Sequence, residues 1–102
     1  MSAYVVAQLR VHDPEKYREY ADAFLATIKP YNARLLVAAD TADVLEGEQP
    51  YPRTVVGEFE SVADARAWYG SEAYQAIAPL RQAAADGAVY IIEGFSIPGA
   101  PQ

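Results

Sequence analysis

A single histidine is the first side chain in this sequence that could move a proton. Histidine ordinarily exchanges a proton near neutral pH, and His12 is the only one present. It stands where a strand-like segment passes into a helix-like one, so it is the candidate for a catalytic residue at the rim of a cleft. The competing interpretation, a solvated loop histidine with Asp13 beside it, is favoured.

Two arginines are the candidates for ligand binding. Arg81 falls seven residues after Tyr74, on what should be the inward stripe of a helix. Two guanidinium groups aimed into one gap between a sheet and its helices could bind a carboxylate through paired hydrogen bonds. The other arginine, Arg53, opens an otherwise apolar strand face that continues with Val55, Gly57 and Phe59.

Internal ion pairing is the competing interpretation for both arginines, and it is slightly favoured because buried charges are usually paired. Its candidate partners are Glu46, Glu58 and Glu93. Aromatic side chains could line a pocket beside the arginines, although aromatics at helical spacing more often form the core. These aromatic residues are Tyr17, Trp68 and Tyr74.

Several classes of chemistry are excluded by composition and motif. The chain has no cysteine, so disulfides, thiolate nucleophiles and cysteine-bound metals are ruled out. No second histidine or acidic residue stands at metal-ligand spacing from His12, and there is no phosphate loop, dinucleotide fingerprint or nucleophile elbow. We therefore expect no metal and no cofactor.

Charge and length predict a soluble, cytoplasmic protein of one domain. The formal net charge of -6 would repel a phosphate backbone, so nucleic acid is not an expected partner. No apolar run is long enough to span a membrane, and no signal peptide is visible. The 102 residues suit one domain, which we place at residues 1–95, followed by a flexible tail over 96–102.

Hydrophobic patterning predicts an α+β fold. Apolar residues at every second position indicate strands, whereas capping residues followed by a longer apolar period indicate helices. The order is the ferredoxin-like βαββαβ plan, an antiparallel sheet with both helices on one face. The predicted elements are strands over 3–11, 34–39, 43–46, 53–60 and 88–95, a helix from Pro14 that Pro30 ends, and a helix after Ser61 that continues beyond a new cap at Ser71, is kinked or split by Pro79 and is ended by Gly87.

The sheet face that the helices leave open predicts a homodimer. Such a face is normally polar because it meets water. Here both faces of the first and last strands carry apolar residues, and a contiguous apolar patch usually marks an interface. Packing of a second copy back to back is the simplest cover. The apolar residues are Tyr4, Val5, Val6, Leu9, Val89, Tyr90, Ile91 and Ile92.

A succession of motifs resembles a known bacterial family. The motifs are Glu46-Gly47, Arg53 to Ser61, Ala65 to Tyr69, Ser71 to Gln75, Arg81 and Glu93-Gly94. From about Tyr4 to Phe95 the chain resembles the family called domain of unknown function 1330, in the dimeric α/β-barrel superfamily. The resemblance implies a barrel made of two sheets in a homodimer. Relatives in the superfamily include cofactor-independent monooxygenases, lactone isomerases and haem-handling proteins. The family tends to have a Gly-Gly turn where this chain has Asn32-Ala33.

We expect a small homodimer that binds a small organic molecule, with carboxylates among the candidates, between its sheet and helices. The expected ligand-binding residues are Arg53, Arg81, Tyr74 and Trp68. One alternative is a cofactor-independent monooxygenase- or isomerase-like enzyme for small carbonyl or phenolic compounds, with His12 or a tyrosine as proton carrier. Another is a structural or regulatory dimer without a ligand. An inward-facing arginine beside a pocket favours the first two, and His12 in that pocket favours the enzyme.

Overall fold

Four strands and three α-helices form in residues 2–95, the part of the chain that the computed structural model describes. The antiparallel sheet has the order β2-β3-β1-β4, which confirms the ferredoxin-like α+β prediction. The tail predicted over 96–102 lies outside the described residues. The elements are β1 (Ala3–Val11), α1 (Pro14–Ile28), a 3₁₀ helix (Lys29–Tyr31), β2 (Arg34–Ala39), β3 (Arg53–Phe59), α2 (Val62–Tyr69), α3 (Glu72–Ala84) and β4 (Ala85–Glu93).

Short polar side chains set the start of each α-helix. A helix leaves its first N–H groups without partners, and a capping oxygen satisfies one of them. Pro14 takes the first position of α1, where its missing N–H costs nothing. The three helix starts predicted from the sequence are thereby confirmed. The capping bonds run from Lys16 N–H to Asp13 Oδ1 (3.2 Å), from Asp64 N–H to Ser61 Oγ (3.0 Å) and from Tyr74 N–H to Ser71 Oγ (3.2 Å).

The turn after α1 is made by an asparagine in the left-handed region. Asn32 has φ 54°, and its N–H donates to the Lys29 carbonyl at 3.1 Å. Asparagine tolerates this conformation better than most residues with a side chain. The chain therefore makes this turn without the Gly-Gly of the family that it resembles.

Residues 40–52 form a loop, and the strand predicted over 43–46 is wrong. Leu45 is 90% exposed, and the segment pairs with no strand of the described sheet. A strand needs a neighbour to complete its backbone hydrogen bonds, and this segment has none in the described sheet. The end of the loop packs against β1 instead, because Gln49 Nε2 donates to Gln8 Oε1 at 3.1 Å.

The split predicted at Pro79 does not occur, since α3 runs unbroken from Glu72 to Ala84. A proline inside a helix removes the bond to the carbonyl four residues earlier. That carbonyl belongs to Gln75, and both residues are exposed. Water can therefore satisfy the carbonyl, and the helix continues.

Gly87 lies inside β4 and does not end a helix. The predicted strand start at Ala88 is too late, because β4 begins at Ala85. Gly87 has φ 143°, and a Cβ there would lie 1.9 Å from the Gln8 carbonyl oxygen. Only glycine fits where β4 passes so close to β1.

Trp68 forms the centre of the core, as the sequence predicted. It is 1% exposed, and its Nε1–H donates to Thr27 Oγ1 at 3.0 Å. Its ring centroid lies 4.2 Å from that of Tyr74 and 5.3 Å from that of Phe59. All three α-helices contribute to this core, which packs on the sheet face that carries Val5, Ala7 and Leu9.

The opposite face, which we call the uncovered face, carries no helix within residues 2–95. Its centre is apolar, and Ile92 at its side is 49% exposed. None of the described helices is long and apolar enough to cross a membrane. The strand registers place on the uncovered face Tyr4, Val6, Gln8, Arg34, Val37, Thr54, Val56, Glu58, Tyr90 and Ile92.

Truncation of the central tryptophan should strongly destabilise the fold. Trp68→Ala should lower the free energy of unfolding by about 3–5 kcal/mol, the usual result for a buried aromatic side chain. Leu45→Ala is the control, and it should change that free energy by less than about 0.5 kcal/mol because Leu45 is exposed. Urea unfolding followed by circular dichroism measures both, and similar midpoints for the two variants would contradict the assignment of Trp68 to the core.

Candidate functional site

A cavity of about 120 Å³ lies between the sheet and the helices. We call it the inner cavity. Exposed residues of α1 and of the edge strand β2, among them Ala21 and Ala38, stand on its wall, so it reaches solvent between these elements. The rest of the wall is mainly aromatic: Tyr17, Tyr20, Phe24, Phe59, Trp68 and Tyr74.

Gly57 helps to leave this space empty. It pairs with Val5 in the centre of the sheet and faces the inner cavity. A Cβ at this position would meet only ordinary contacts, the nearest being Phe59 Cε1 at 3.7 Å. The backbone does not need glycine here, so the missing side chain contributes volume to the cavity.

Arg53 forms the polar end of the inner cavity. Its Nε–H donates to the Tyr17 hydroxyl at 3.0 Å, and its Nη1–H donates to Asp40 Oδ1 at 2.8 Å. The guanidinium carbon also lies 5.2 Å from the centre of the Tyr17 ring, within cation–π range. Burial disfavours the charge, but the bonds to Asp40 and Tyr17 outweigh it, and the pKa of Arg53 is raised.

The ion-pair partner of Arg53 is none of the three glutamates that the sequence offered. The register of β2 with β3 sets Ala39 opposite Thr54, which brings Asp40 beside Arg53. Glu58 instead lies on the uncovered face, where it pairs with Arg34. The pair is unequal in exposure, because the side chain of Arg53 is 22% exposed and that of Asp40 is 65% exposed.

A second depression, the outer cleft, meets the inner cavity at Arg53. Its volume is about 690 Å³. Leu9, Tyr17, Ala21 and Arg53 line both spaces, whereas Asp40 lines the outer cleft alone. The guanidinium therefore stands at the boundary between an aromatic interior and a solvent-filled cleft.

Arg81 lies outside this boundary, and the structure does not bring the two arginines into one gap. Its Nε–H donates to the Tyr74 hydroxyl at 3.4 Å, and that hydroxyl bonds to the Tyr20 hydroxyl at 2.9 Å. Arg81 is 8% exposed, and within residues 2–95 no carboxylate lies at ion-pair distance from it. Burial, then the neighbouring Tyr74, raises the pKa of Tyr20, so this hydroxyl stays protonated.

His12 lies at the surface and lines neither the inner cavity nor the outer cleft. Its side chain is 50% exposed, and Nε2 is 3.8 Å from Asp86 Oδ1. This placement agrees with the solvated-loop interpretation. Within residues 2–95, no group of three metal-ligating side chains is close enough to hold an ion.

Of the candidate residues singled out in the sequence, Trp68, Tyr74, Tyr17 and Arg53 line the inner cavity. Two further residues of the site with polar side chains were not singled out. The missed residues are Tyr20 and Asp40. Tyr20 follows Tyr17 on the stripe of α1 that carries Phe24, so helical spacing could have found it, whereas Asp40 depends on strand register.

The fold and the site together define a ferredoxin-like α+β protein with an aromatic cavity between its sheet and helices. The chain belongs to the family described as Domain of unknown function (DUF1330), which matches residues 2–95. This confirms the resemblance seen in the sequence motifs. Comparison with curated protein sequences gives no significant match.

Solved structures share the fold at low sequence identity. A protein of unknown function from Rhodopseudomonas palustris has a TM-score of 0.77 and 16% identity, over 94% of this chain and 84% of that one. A dimeric ferredoxin-like protein of unknown function from Thermobifida fusca has a TM-score of 0.62 and 18% identity, over 90% of each chain. SnoaB, a cofactor-independent oxygenase from Streptomyces nogalater, has a TM-score of 0.62 and 11% identity, over 97% of this chain and 98% of that one.

Removal of the Tyr74 hydroxyl should destabilise the protein, because it bonds to both Tyr20 and Arg81. Tyr74→Phe should lower the free energy of unfolding by about 1–3 kcal/mol, the cost of leaving buried polar groups without partners. The matched control is Tyr69→Phe, since the Tyr69 hydroxyl makes no side-chain hydrogen bond within residues 2–95. Urea unfolding measures both variants, and an equal loss in the two would show that the buried hydroxyl pair adds nothing.

Proposed function

We propose that this protein binds a single-ring organic molecule in the inner cavity and that it does so as a homodimer. The observation that carries the proposal is the cavity itself, about 120 Å³ with aromatic walls. An engineered apolar cavity on the order of 150 Å³ binds benzene, so a space of this size suits one ring. Interiors are otherwise close-packed, and an unfilled space lowers stability unless a ligand uses it.

The composition of the wall supports an aromatic guest. Tyrosine, phenylalanine and tryptophan faces favour offset or edge-on contact with another ring. A few polar groups in a mostly apolar pocket usually fix the orientation of its ligand. Arg53 and Tyr17 supply such groups at one end, and the hydroxyls of Tyr20 and Tyr74 belong to residues of the wall.

A neutral ring should stabilise the native protein by mass action. Toluene at millimolar concentration should raise the melting temperature measured by circular dichroism. Val55→Phe, which fills the inner cavity, should abolish the rise, and Ala38→Leu serves if Val55→Phe does not fold. Leu45→Phe adds the same ring on the exposed loop and should keep the response. An unchanged melting temperature of the native protein would contradict the cavity as a binding site.

The homodimer is supported by the uncovered face. Val6 and Val56 pair at the centre of this face, and Tyr90 and Ile92 extend it over β4. Such a contiguous apolar surface is usually an interface. The Thermobifida fusca protein of similar fold is described as dimeric, which supports the same arrangement here.

Light scattering should give a particle of twice the chain mass of 11.1 kDa at micromolar concentration. Val56→Lys places a charge at the centre of the uncovered face and should yield a monomer that retains its circular dichroism. Leu45→Lys adds the same charge on the exposed loop and should remain dimeric. A native particle of the single chain mass would remove the dimer from the proposal.

An enzyme that uses the same cavity is the second candidate. The Tyr20 and Tyr74 hydroxyls lie 2.9 Å apart in residues of the cavity wall, where the Tyr20 hydroxyl, which stays protonated, could donate a hydrogen bond to a bound phenolate. SnoaB, of similar fold, is described as a cofactor-independent oxygenase. His12 is remote from the cavity and takes no part in this candidate. Mass spectrometry of a phenol recovered after aerobic incubation separates turnover from binding. If no ring binds, the structural or regulatory dimer without a ligand is left.

A further inference from the structure

We infer that the molecule bound in the inner cavity is an aryl monocarboxylate whose carboxylate replaces Asp40 at Arg53. The inference rests on the proposed function and names the class of ligand. Arg53 stands where the aromatic cavity meets the outer cleft, so a ring inside the cavity would carry its polar substituent to the guanidinium. Asp40 now occupies the position that such a substituent would take.

Tyr17 fixes the guanidinium independently of Asp40. The hydroxyl accepts from Nε at 3.0 Å, and the ring lies under the guanidinium at 5.2 Å. One edge of the guanidinium is therefore held by the helix layer. At the other edge, Nη1 donates to Asp40, a residue of the loop after β2, at 2.8 Å. A planar guanidinium oriented in this way is suited to paired hydrogen bonds with a carboxylate.

Asp40 is the partner of Arg53 that a ligand carboxylate can displace. Its side chain is 65% exposed, and its only hydrogen bond within residues 2–95 is the one to Arg53. An exposed ion pair contributes little to stability because water screens it and solvates the released carboxylate. Arg53 is the more buried partner, and leaving its charge without the anion would cost more than releasing Asp40 to water. An entering carboxylate supplies that anion, so Arg53 remains paired after the exchange.

The surrounding charges favour one negative group over two. The outer cleft is lined by Asp22 and Asp40 together with Arg18 and Arg53. A ligand carboxylate that takes Arg53 leaves Arg18 alone to offset both aspartates. A second carboxylate on the ligand would therefore face like charge in a protein whose net charge is already -6. A neutral ring would fill the cavity and leave Asp40 in place.

Isothermal titration with benzoate and with benzamide, its neutral analogue, tests the inference. The native protein should bind benzoate about tenfold more tightly than benzamide, the scale of a charge-assisted bond. Asp40→Asn removes the competing charge, so it should raise benzoate affinity about fivefold to tenfold and leave benzamide within about twofold. Asp43→Asn is the matched control, because it removes an equal charge from the same loop away from Arg53, and it should leave both affinities unchanged.

Arg53→Met should still bind benzamide but lose the preference for benzoate. Arg53→Gln is the second variant if circular dichroism shows that Arg53→Met is not folded. Equal binding of benzoate and benzamide, or weaker benzoate binding by Asp40→Asn, would overturn the inference and leave the cavity as a site for neutral rings. Failure of both compounds to bind any variant would overturn the inference together with the proposed function.

Discussion

The tilted contact of the Trp68 and Tyr74 rings, at a centroid distance of 4.2 Å, is the centre of a cluster of rings that sets the separation of the sheet from the helices. Trp68 belongs to α2 and Tyr74 to α3, and both are almost fully buried. Phe59 of β3 and Phe24 of α1 also meet the indole ring, at 5.3 and 5.9 Å. The Trp68 side chain of α2 therefore contacts residues of α1, α3 and β3. The space between the sheet and the helices is densely packed where large rings fill it. Beside Gly57, which contributes no side chain, the same distance between sheet and helices leaves the inner cavity empty.

The protein stabilises its two inward arginines in different ways. Arg53 has an ionic partner that reaches water, whereas Arg81 is bonded to the Tyr74 hydroxyl and has no carboxylate beside it within residues 2–95. No buried side-chain nitrogen or oxygen of the described chain lacks a hydrogen-bond partner. A hydroxyl partner holds a charge without neutralising it, so Arg81 gives its surroundings a positive potential. This potential acts on Tyr20 through the Tyr74 hydroxyl.

The sequence could predict what depends on nearby residues. The caps at Asp13, Ser61 and Ser71 and the two-residue alternation of β1 are local patterns, and the structure confirms them. The partner of Arg53 could not be predicted from spacing, because Asp40 reaches it only through the register of two strands. A pocket between the sheet and the helices was expected, but its volume could not be predicted, since an empty volume depends on how rings from separate elements meet. The resemblance to a family agreed with the fold that patterning predicted, and it supplied no site residue.

The predictions of a helix end at Gly87 and of a strand over 43–46 were wrong for one physical reason. In both places the conformation depends on backbone that is distant in the sequence. A glycine after a helical pattern normally indicates a helix end, yet Gly87 is needed because of a carbonyl in β1. Val44 and Leu45 are apolar, as strand residues often are, but no strand of the described sheet lies beside them.

The close pass at Gly87 also determines how β4 can align with β1. Gly87 lies opposite Leu9, and the Gln8 carbonyl leaves no room there for a β-carbon. A shift of one residue would bring Ala88 or Asp86 to that point, and it would also turn Val89 and Ile91 from the core to the uncovered face. Misaligned pairings are thus blocked by steric clash before hydrophobic packing can distinguish them. β4 therefore carries its own constraint on alignment, which protects the described sheet from the shifted pairings that lead to strand exchange and aggregation.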